Sequence, residues 1–307
     1  MTKETINIGT RSSKLALWQA HQVKDALMRC FPEMVVNIIP FKTKGDAVLE
    51  VALSKIGDKG LFTREIENAL LNGEVDIAVH SLKDLPTDLP EGLRLGGVLP
   101  RGEVRDVLVS RDGRSLKELT SNDRIGTSSL RRQAQILHKY PYLKVVDIRG
   151  NVETRLRKME EGLCDALVMA GAGFIRLGLE EKITEFLEPE VILPAVSQGA
   201  VAMEIRSDDS LVSEVVKAVT DEMTFLTTNA ERAFLKTIEG GCQVPVACYS
   251  QLVGDNMRLT GMIGAIDGRI LLRETVECKQ AEAQKCAVQL AQKLLNSGGR
   301  QILETIR

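Results

Sequence analysis

The residues that could do chemistry are a cysteine, an aspartate and a group of arginines, and the cysteine has the most unusual surroundings. In EGGCQVPVACYS the thiol of Cys242 follows two glycines directly. A structural cysteine needs no glycine beside it, whereas a thiol that carries a bulky group needs unobstructed backbone on one side. The segment by itself leaves four interpretations open: a plain turn at the end of a helix, a metal ligand, a nucleophile and an attachment point. Attachment is favoured over hydrolysis, because none of the three histidines lies in the sequence context of a Cys–His nucleophile.

The segment DIAVHSLKDLPTDLP places an acid and a lysine at the end of a predicted strand. The strand ends near His80 and is followed by Ser81, Lys83 and Asp84, in a loop that two prolines restrain. A carboxylate at this position can take part in acid–base catalysis or stabilise a cation. The alternative is a surface loop with a local ion pair, and His80 is expected to be structural.

Two predicted strand-to-helix turns are rich in arginine. RIGTSSLRRQ and DIRGNVETRLRK each predict a strand that runs into small polar residues and then a helix, which presents free backbone N–H groups to an anion. Between residues 124 and 157 eight basic residues outnumber two acids, a net charge of +6 in a chain whose net charge is −2. Because both turns are expected at neighbouring carboxyl ends of parallel strands, they predict one site for a ligand with several carboxylates or phosphates. Ordinary helix caps with solvated arginines are the alternative, and the sequence lacks the G-x-x-x-x-G-K-[ST] order of a nucleotide-binding loop.

The elements that must position these residues alternate between short apolar runs and helical patterns through the first two thirds of the chain. Strands and helices in turn predict βαβ units with mostly parallel sheets. After about residue 220 the pattern changes to a helix, three strands and a last helix, which predicts a separate α+β domain with an antiparallel sheet. The predicted strands cover 6–9, 34–41, 75–80, 106–110, 124–128, 144–148, 165–170, 246–253, 257–265 and 270–278.

Length and composition are typical of a globular protein with two or three domains. The chain has 307 residues, of which 44% are hydrophobic and 27% are charged. It contains no run of about 18 apolar residues, and its N-terminus lacks the layout of a signal peptide, so the protein is expected in the cytoplasm. Six cysteines without a C-x-x-C pair favour reduced thiols over a zinc cluster or a disulfide framework. The net charge predicts no general affinity for nucleic acid or for an anionic membrane.

Six long segments are together typical of one enzyme family. They are IGTRSSKLALWQA, KGLFTREIENALLNGEVDIAVHSLKDLPT, IGTSSLRRQAQIL, IRGNVETRLRKMEEGLCDALVMAGAGFIRLG, PAVSQGAVAMEI and ERAFLKTIEGGCQVPV. All six occur in the family order, and the chain resembles the hydroxymethylbilane synthases, also called porphobilinogen deaminases, along nearly its whole length. The resemblance implies a cytoplasmic transferase of tetrapyrrole (heme) biosynthesis. Such an enzyme joins four porphobilinogen molecules head to tail into hydroxymethylbilane and releases ammonia.

The resemblance also implies roles for individual residues. Family members carry a dipyrromethane cofactor in thioether linkage to the cysteine of the GGC turn, which is Cys242 in this sequence. The catalytic aspartate of the family corresponds to Asp84, which is expected to be a buried carboxylate that binds pyrrole N–H groups and stabilises a cation. The residues implied to bind cofactor or substrate are Arg11, Ser81, Lys83, Thr127, Ser129, Arg131, Arg132, Arg149, Gly150, Asn151, Arg155, Ala170, Arg176 and Gln198. No metal is expected, the expected partner is porphobilinogen without nucleic acid or membrane, and the protein is expected to be a monomer.

The family architecture predicts an α/β fold of two domains like those of periplasmic binding proteins around a cleft, plus a smaller α+β C-terminal domain that carries the cofactor cysteine. The predicted boundaries are 1–99 with 200–219 for the first domain, 100–199 for the second and 220–307 for the third. The sequence departs from the family pattern at Asp58, in a loop over 42–62, and at Val196 and Ser197, where glycine, proline and glycine are common. Phe62 in the loop is a candidate for packing against a pyrrole ring or against the following helix.

Two other functions stay open at this stage. A non-enzymatic, two-lobed protein that binds a polyanion explains the predicted fold and the arginines, but it gives no reason for Asp84 or Cys242. A cysteine hydrolase explains Cys242, but no histidine has the sequence context that such an enzyme requires.

Overall fold

A computed structural model describes residues 3–43, 63–238 and 244–306 of the chain. The strands of this described part are β1 (Thr5–Arg11), β2 (Val35–Phe41), β3 (Ile77–Ser81), β4 (Leu93–Val98), β5 (Asp106–Ser110), β6 (Arg124–Gly126), β7 (Lys144–Val146), β8 (Ala166–Ala170), β9 (Glu185–Leu187), β10 (Val201–Arg206), β11 (Val246–Val253), β12 (Asn256–Gly264) and β13 (Leu271–Lys279). The helices are α1 (Lys14–Cys30), α2 (Arg64–Leu71), α3 (Leu130–Lys139), α4 (Val152–Glu160), α5 (Gly171–Arg176), α6 (Ser210–Val219), α7 (Glu222–Thr237), α8 (Ala283–Leu294) and α9 (Arg300–Glu304).

The first sheet has five strands in the order β2-β1-β3-β10-β4. β1 runs parallel to β2 and β3, whereas β10 runs antiparallel to β3 and β4. Apolar residues of α1 pack on one face of the sheet, against Ile77 and Val79 of β3. Residues of α2 pack on the other face, against Ala78. Helices on both faces explain why successive residues of β3 are buried, instead of alternating with exposed ones.

The second sheet also has five strands, in the order β7-β6-β8-β5-β9. β6 runs parallel to β7 and β8, and β5 runs antiparallel to β8 and β9. The carboxyl ends of β6, β7 and β8 therefore lie at one edge of the sheet, together with the first residue of β5. This edge carries most of the arginines that the sequence marks as functional.

The third sheet is antiparallel, with the order β11-β12-β13. Helix α7 packs closely on this sheet, with Phe234 against Gly261 of β12. A Cβ atom on Gly261 would lie only 2.5 Å from Cε2 of Phe234, so the contact requires glycine. The turn between β12 and β13 contacts the arginine-bearing helix α3, where the Nδ1 atom of His138 lies 2.8 Å from the carbonyl oxygen of Gly268. The guanidinium of Arg273 donates hydrogen bonds to the carbonyl oxygens of 189 and 190.

The described residues form two compact units. The first unit lies within Met1–Gly102 and Gly199–Leu226, and the second lies within Glu103–Gln198 and Thr227–Arg307. The second unit contains both the second sheet and the antiparallel sheet. The division into three domains with boundaries at 99, 199 and 219 stays a prediction. None of the helices in the described ranges is long and apolar enough to cross a membrane.

The predicted fold class is confirmed, since two α/β sheets precede an antiparallel sheet flanked by helices. The expectation of mostly parallel sheets is confirmed for strand direction, because four strands of each five-stranded sheet run the same way. Only β10 in the first sheet and β5 in the second run against their neighbours. The sequence pattern does not predict β4, β9 and β10. Two adjacent glycines weaken the strand signal of β4, and β9 is only three residues long.

Candidate functional site

The two arginine-rich turns lie side by side, as the sequence predicts. Gly126 at the end of β6 is paired with Val146 at the end of β7, and each strand leads into its own turn and helix. β8 ends beside β6 and leads into α5. We call the edge formed by residues 127–132, 147–155 and 170–176 the arginine edge.

Local hydrogen bonds fix the shape of both turns. Oγ of Ser129 accepts from the backbone N–H of Arg132 at the start of α3, and Oδ1 of Asn151 accepts from the N–H of Thr154 at the start of α4. Gly150 has φ 121°, a conformation that glycine adopts without strain, and its carbonyl oxygen accepts from Nε of Arg155 at 2.7 Å. The buried Thr127 continues the pairing of β6 and β7, because its N–H donates to the carbonyl oxygen of 146. These caps satisfy some of the backbone N–H groups at the N-terminus of each helix, and they hold the adjacent side chains in place.

Arg131 and Arg132 share one carboxylate, that of Asp106. Asp106 is fully buried, and only 4% of Arg131 and 7% of Arg132 are exposed. Nη2 of Arg132 donates a hydrogen bond of 2.8 Å to Oδ1 of Asp106. Nη2 of Arg131 forms an ion pair with Oδ2 of Asp106 at 2.8 Å. Asp106 is the first residue of β5, and it lies at the arginine edge because β5 pairs antiparallel with β8, opposite Ala170.

Sequence reasoning misses Asp106, although a carboxylate at the start of the apolar run DVLVS is an available signal. Burial by itself would raise the pKa of Asp106, but the charges of Arg131 and Arg132 outweigh it and hold that pKa far below its ordinary value. Burial also lowers the pKa of Arg131, against the opposing attraction of Asp106. Two positive charges and one negative charge together leave a net charge of about +1 at this cluster.

Gln198 belongs to the same cluster. Its Nε2 donates to Oδ1 of Asp106 at 2.9 Å and to the carbonyl oxygen of Val104 at 2.7 Å. Nη1 of Arg131 donates to the carbonyl oxygen of Leu193. The buried Nε of Arg132, in contrast, has no hydrogen-bond partner among the residues that the structure describes. This donor is buried, and the described residues leave its hydrogen-bonding capacity unused.

Acids outside the counted window compensate much of the charge of +6. Arg124 pairs with Asp165 at 3.2 Å, and Arg157 pairs with Glu161. Arg149 pairs with Asp147 inside the window, at 3.2 Å. The count of +6 therefore overstates the local charge, because a count along the sequence omits the carboxylates that the fold brings close, and the segment stays positive.

Arg176 at the end of α5 carries the clearest sign of a desolvated cation. Burial lowers its pKa to about 10. Burial disfavours the charged guanidinium and is the cause of this shift. A ligand carboxylate at this position would form a strong ion pair with the guanidinium, because burial leaves that charge incompletely hydrated.

The first unit presents Asp84 on a short turn after β3. Residues Leu82–Asp84 form one turn of 3-10 helix, in which Leu82 is fully buried. The side chain of Asp84 is exposed. The expectation of a buried carboxylate is therefore wrong for this structure, because the turn directs Leu82 and Leu85 into the core and leaves Asp84 outside.

The other expected residues of the first unit surround this turn. Oγ of Ser81, the last residue of β3, accepts from Nε2 of Gln19 at 2.7 Å, and Lys83 is half-buried. Arg11 is the last residue of β1, which runs parallel to β3, so Arg11 lies at the same edge of the sheet as Ser81. The described ranges contain no group of three side chains able to hold a metal ion.

Several expectations fall on residues outside the described ranges. These residues are Cys242, its two preceding glycines, Asp58 and Phe62. Of the departures from the family pattern, Val196 is buried, and Ser197 has φ 61°, the one positive φ of a residue other than glycine in the described part. The backbone N–H of Ser197 donates to Oε2 of the buried Glu231 at 2.6 Å. That contact holds Ser197 in a conformation that favours glycine.

Comparison with known proteins identifies relatives along the whole chain. The family model described as porphobilinogen deaminase, dipyromethane cofactor binding domain, matches residues 6–214, and the model of the porphobilinogen deaminase C-terminal domain matches residues 225–296. The chain is 48% identical to the porphobilinogen deaminase of Carboxydothermus hydrogenoformans over 307 residues, which cover 100% of this chain and 98% of that protein. It is 47% identical to the porphobilinogen deaminase of Syntrophotalea carbinolica over 306 residues, covering 100% of this chain and 97% of that protein.

The solved structures that match the chain are more distant in sequence. The methionine-binding protein MetQ matches with a TM-score of 0.46 and 13% identity, over 72% of this chain and 92% of that protein. The periplasmic VFT2 domain of Bordetella pertussis BvgS matches with a TM-score of 0.42 and 13% identity, over 70% of this chain and 86% of that domain.

Replacement of Asp106 by asparagine tests the buried ion pair. We expect Asp106→Asn to lower the free energy of unfolding by about 3–5 kcal/mol at pH 7, because two buried arginine charges lose their carboxylate. Since the folded pKa of Asp106 is depressed, its stabilisation is present above the ordinary pKa of about 4 and is lost as the pH falls below it. The variant should lack this component of acid sensitivity. Urea unfolding between pH 3 and 7 measures both effects.

The matched control is Asp112→Asn, which removes an exposed carboxylate beyond the other end of β5. We expect this control to change the free energy of unfolding little. An equal loss in both variants would contradict the assigned role of Asp106.

Proposed function

The chain belongs to the porphobilinogen deaminase family, and on this premise we propose which of its residues carry out the reaction of that family. The protein is a hydroxymethylbilane synthase of tetrapyrrole biosynthesis, with a dipyrromethane cofactor-binding domain. It joins porphobilinogen molecules head to tail and releases ammonia. Family membership decides against the polyanion-binding protein and the cysteine hydrolase. The expected monomeric state and cytoplasmic location are part of the proposal.

The arginine edge is proposed to bind the carboxylates of cofactor and substrate. Each pyrrole of the growing chain bears an acetate and a propionate, so the bound chain accumulates negative charge. The observation that carries the proposal is the buried Nε of Arg132, a donor without a partner in the described part of the chain. A buried donor without a hydrogen-bond partner destabilises the protein by about 1–3 kcal/mol, and a carboxylate ligand that accepts this hydrogen bond removes the penalty. The desolvated Arg176 supports the same assignment.

The two adjacent arginines are proposed to have different roles. Arg131 directs its donors toward Asp106 and Leu193, and it therefore positions its neighbour. Arg132 contacts Asp106 through Nη2 and keeps Nε for a ligand. Arg155 is held over the α4 turn by its contact with Gly150, and it adds a further cation at the same edge.

Asp84 is proposed to hold the proton that the reaction moves. In each addition the bond from the exocyclic methylene carbon of porphobilinogen to its amino group breaks, and a bond from that carbon to the free α-carbon of the chain end forms. Ammonia leaves, and the α-carbon loses its proton. A carboxylate beside the reacting pyrrole can protonate the departing amine and stabilise the positive charge that develops on the ring. The buried Leu82 fixes the turn that carries Asp84.

Cys242 is proposed to attach the cofactor through a thioether. When bound, the cofactor supplies the pyrrole end onto which the product is built. Two glycines before Cys242 leave room for two rings close to the backbone. The described helix α7 and strand β11 flank the segment that contains it.

Removal of the carboxylate of Asp84 tests its proposed role. We expect Asp84→Ala to lower kcat by about 10²–10⁴-fold, the contribution of a general acid–base group, while the two-pyrrole adduct and the free energy of unfolding stay near the native values. Asp88→Ala, which removes an exposed carboxylate four residues on in the same loop, is the control and should keep kcat within about twofold. Steady-state turnover of porphobilinogen measures both. Near-native turnover by Asp84→Ala would overturn the assignment.

Intact-mass measurement tests the attachment point. The native protein should carry an adduct of two pyrrole units, and Cys242→Ser should lack it because serine forms no thioether. Cys286→Ser, which changes a half-buried thiol of α8, should keep the adduct. A native protein without an adduct, or an adduct that persists in Cys242→Ser, would contradict the proposal.

A charge-conserving replacement of Arg132 tests the donor that it keeps for a ligand. Arg132→Lys retains a cation beside Asp106 but removes the Nε donor. We expect KM for porphobilinogen to rise by about tenfold, the effect of one hydrogen bond to a charged group, whereas the exposed control Arg157→Lys should leave KM unchanged. Kinetics of the cofactor-loaded proteins measure the difference, and equal KM values would show that Nε does not contact substrate.

A further inference from the structure

Three ionisable side chains are buried together in the first unit, next to the strand that carries Asp84. His80 is 6% exposed, Glu204 is fully buried and Glu67 is 6% exposed. They belong to three different elements: β3, β10 and α2. None of them is among the residues that the family resemblance assigns to cofactor, substrate or catalysis.

His80 and Glu204 join β3 to β10 through their side chains. The two strands pair antiparallel, with His80 opposite Ala202 and Glu204 opposite Ala78. Both side chains therefore lie on the same face of the sheet, and Nε2 of His80 is 3.0 Å from Oε2 of Glu204. An ionised carboxylate only accepts hydrogen bonds, so Nε2 of His80 carries the hydrogen when Glu204 is charged.

Glu67 approaches this pair from the helix that covers the same face. Residues Ile66 and Leu70 of α2 pack with Ala78 of β3, and the buried Glu67 interacts electrostatically with His80 and Glu204. One oxygen of each carboxylate, Oε1 of Glu67 and Oε1 of Glu204, has no hydrogen-bond partner in the described part of the chain. Two buried acceptors of this kind are unfavourable unless one carboxyl group holds a proton.

Burial, assisted by the charge of Glu204, favours a proton on Glu67. Burial raises the pKa of Glu67, and the negative charge of Glu204 raises it further, against opposing effects of Thr63, His80 and Arg64. These groups come from α2, from the residue before it, and from the two strands packed against it. A protonated Glu67 changes from an acceptor into a donor within this cluster.

The pairing of β3 with β10, which these side chains reinforce, also sets the position of Asp84. The register of β3 and β10 continues to the pair Ser81 and Val201, and the next backbone N–H, that of Leu82, donates to the carbonyl oxygen of Ala200 at 3.0 Å. Asp84 lies two residues beyond Leu82, in the same short turn. A shift of β3 against β10 therefore displaces the carboxylate of Asp84.

We propose that Glu67, His80 and Glu204 form a positioning triad, in which a proton on Glu67 and the contact between His80 and Glu204 lock β3 to β10 and so fix the turn that presents Asp84. The proposal rests on the catalytic role proposed for Asp84. The triad acts through backbone position and does not touch the reacting atoms. A misplacement of about 1 Å in a catalytic group lowers turnover by about 10²-fold, so the triad belongs to the determinants of kcat.

The raised pKa of Glu67 has a defined consequence for stability. A group whose folded pKa is raised stabilises the fold below its unfolded pKa, about 4.3 for glutamate, and this stabilisation is lost as the pH rises through the folded pKa. Glu67→Gln stays neutral and can still donate a hydrogen bond. The free energy of unfolding of this variant, relative to the native protein, should therefore increase as the pH rises above about 4.3.

Kinetics of cofactor-loaded variants test the positioning role. We expect His80→Leu to lower kcat by about 10²-fold and Glu204→Gln by about tenfold, with KM for porphobilinogen within about twofold of the native value. Glu67→Leu should lower kcat more than Glu67→Gln does, because only glutamine replaces the donor. The amide of Leu82 should exchange its hydrogen faster in His80→Leu and in Glu67→Leu. If His80→Leu does not fold, the nearly isosteric Glu204→Gln carries the test, with Glu67→Gln as the variant that keeps the donor.

Ile77→Val is the matched control, because it removes one methylene group from a fully buried residue of the same strand without changing a polar group. It should leave kcat and the exchange of the Leu82 amide unchanged. A kcat within twofold of this control in His80→Leu, Glu204→Gln and Glu67→Leu, or unchanged exchange at Leu82 in His80→Leu and Glu67→Leu, would overturn the proposal. In that case an inactive Asp84→Ala variant would leave the role of Asp84 intact, whereas an active one would refute the proposed function separately.

Discussion

A carboxylate buried between two arginines is the constraint on which the arginine edge depends. Burying three charges is unfavourable unless each finds a partner, and removal of one partner leaves an uncompensated charge in the interior. Asp106 meets this requirement for Arg131 and Arg132, and Gln198 and Leu193 supply further hydrogen-bond partners. The antiparallel direction of β5 is what brings the start of that strand to the carboxyl ends of its neighbours.

This constraint gives two different tasks to arginines that are neighbours in the sequence. A guanidinium with all its donors directed at protein groups is a structural element, whereas one that keeps a buried donor is prepared for an anion. Arg131 directs its contacts inward, and Arg132 keeps Nε. Because the protein itself compensates one of the two charges, the edge avoids the repulsion of two adjacent uncompensated cations and still carries a positive charge.

The first unit uses buried polar groups in a comparable way. Asp84 is exposed, where a substrate can reach it, and its position depends on contacts beneath the turn. His80 and Glu204 connect two strands in the interior, and Glu67 adds a carboxyl group from a helix. In both units, buried side chains hold the residues that are proposed to contact the ligand, and no short motif identifies these buried side chains as functional.

The sequence by itself determined the family, the α/β order of elements, the arginine-rich turns and the position of Asp84 at the end of a strand. These are local properties, since a cap, a turn or an apolar run depends on residues a few positions apart. The tertiary structure decided which charges meet. Asp106 lies 26 residues before Arg132, and Glu204 lies 124 residues after His80, so neither partnership has a signature in a short window. The directions of the paired strands bring these groups close together. In a poorly hydrated interior, the distance between two charged groups then decides which charges are neutralised and which remain for a ligand.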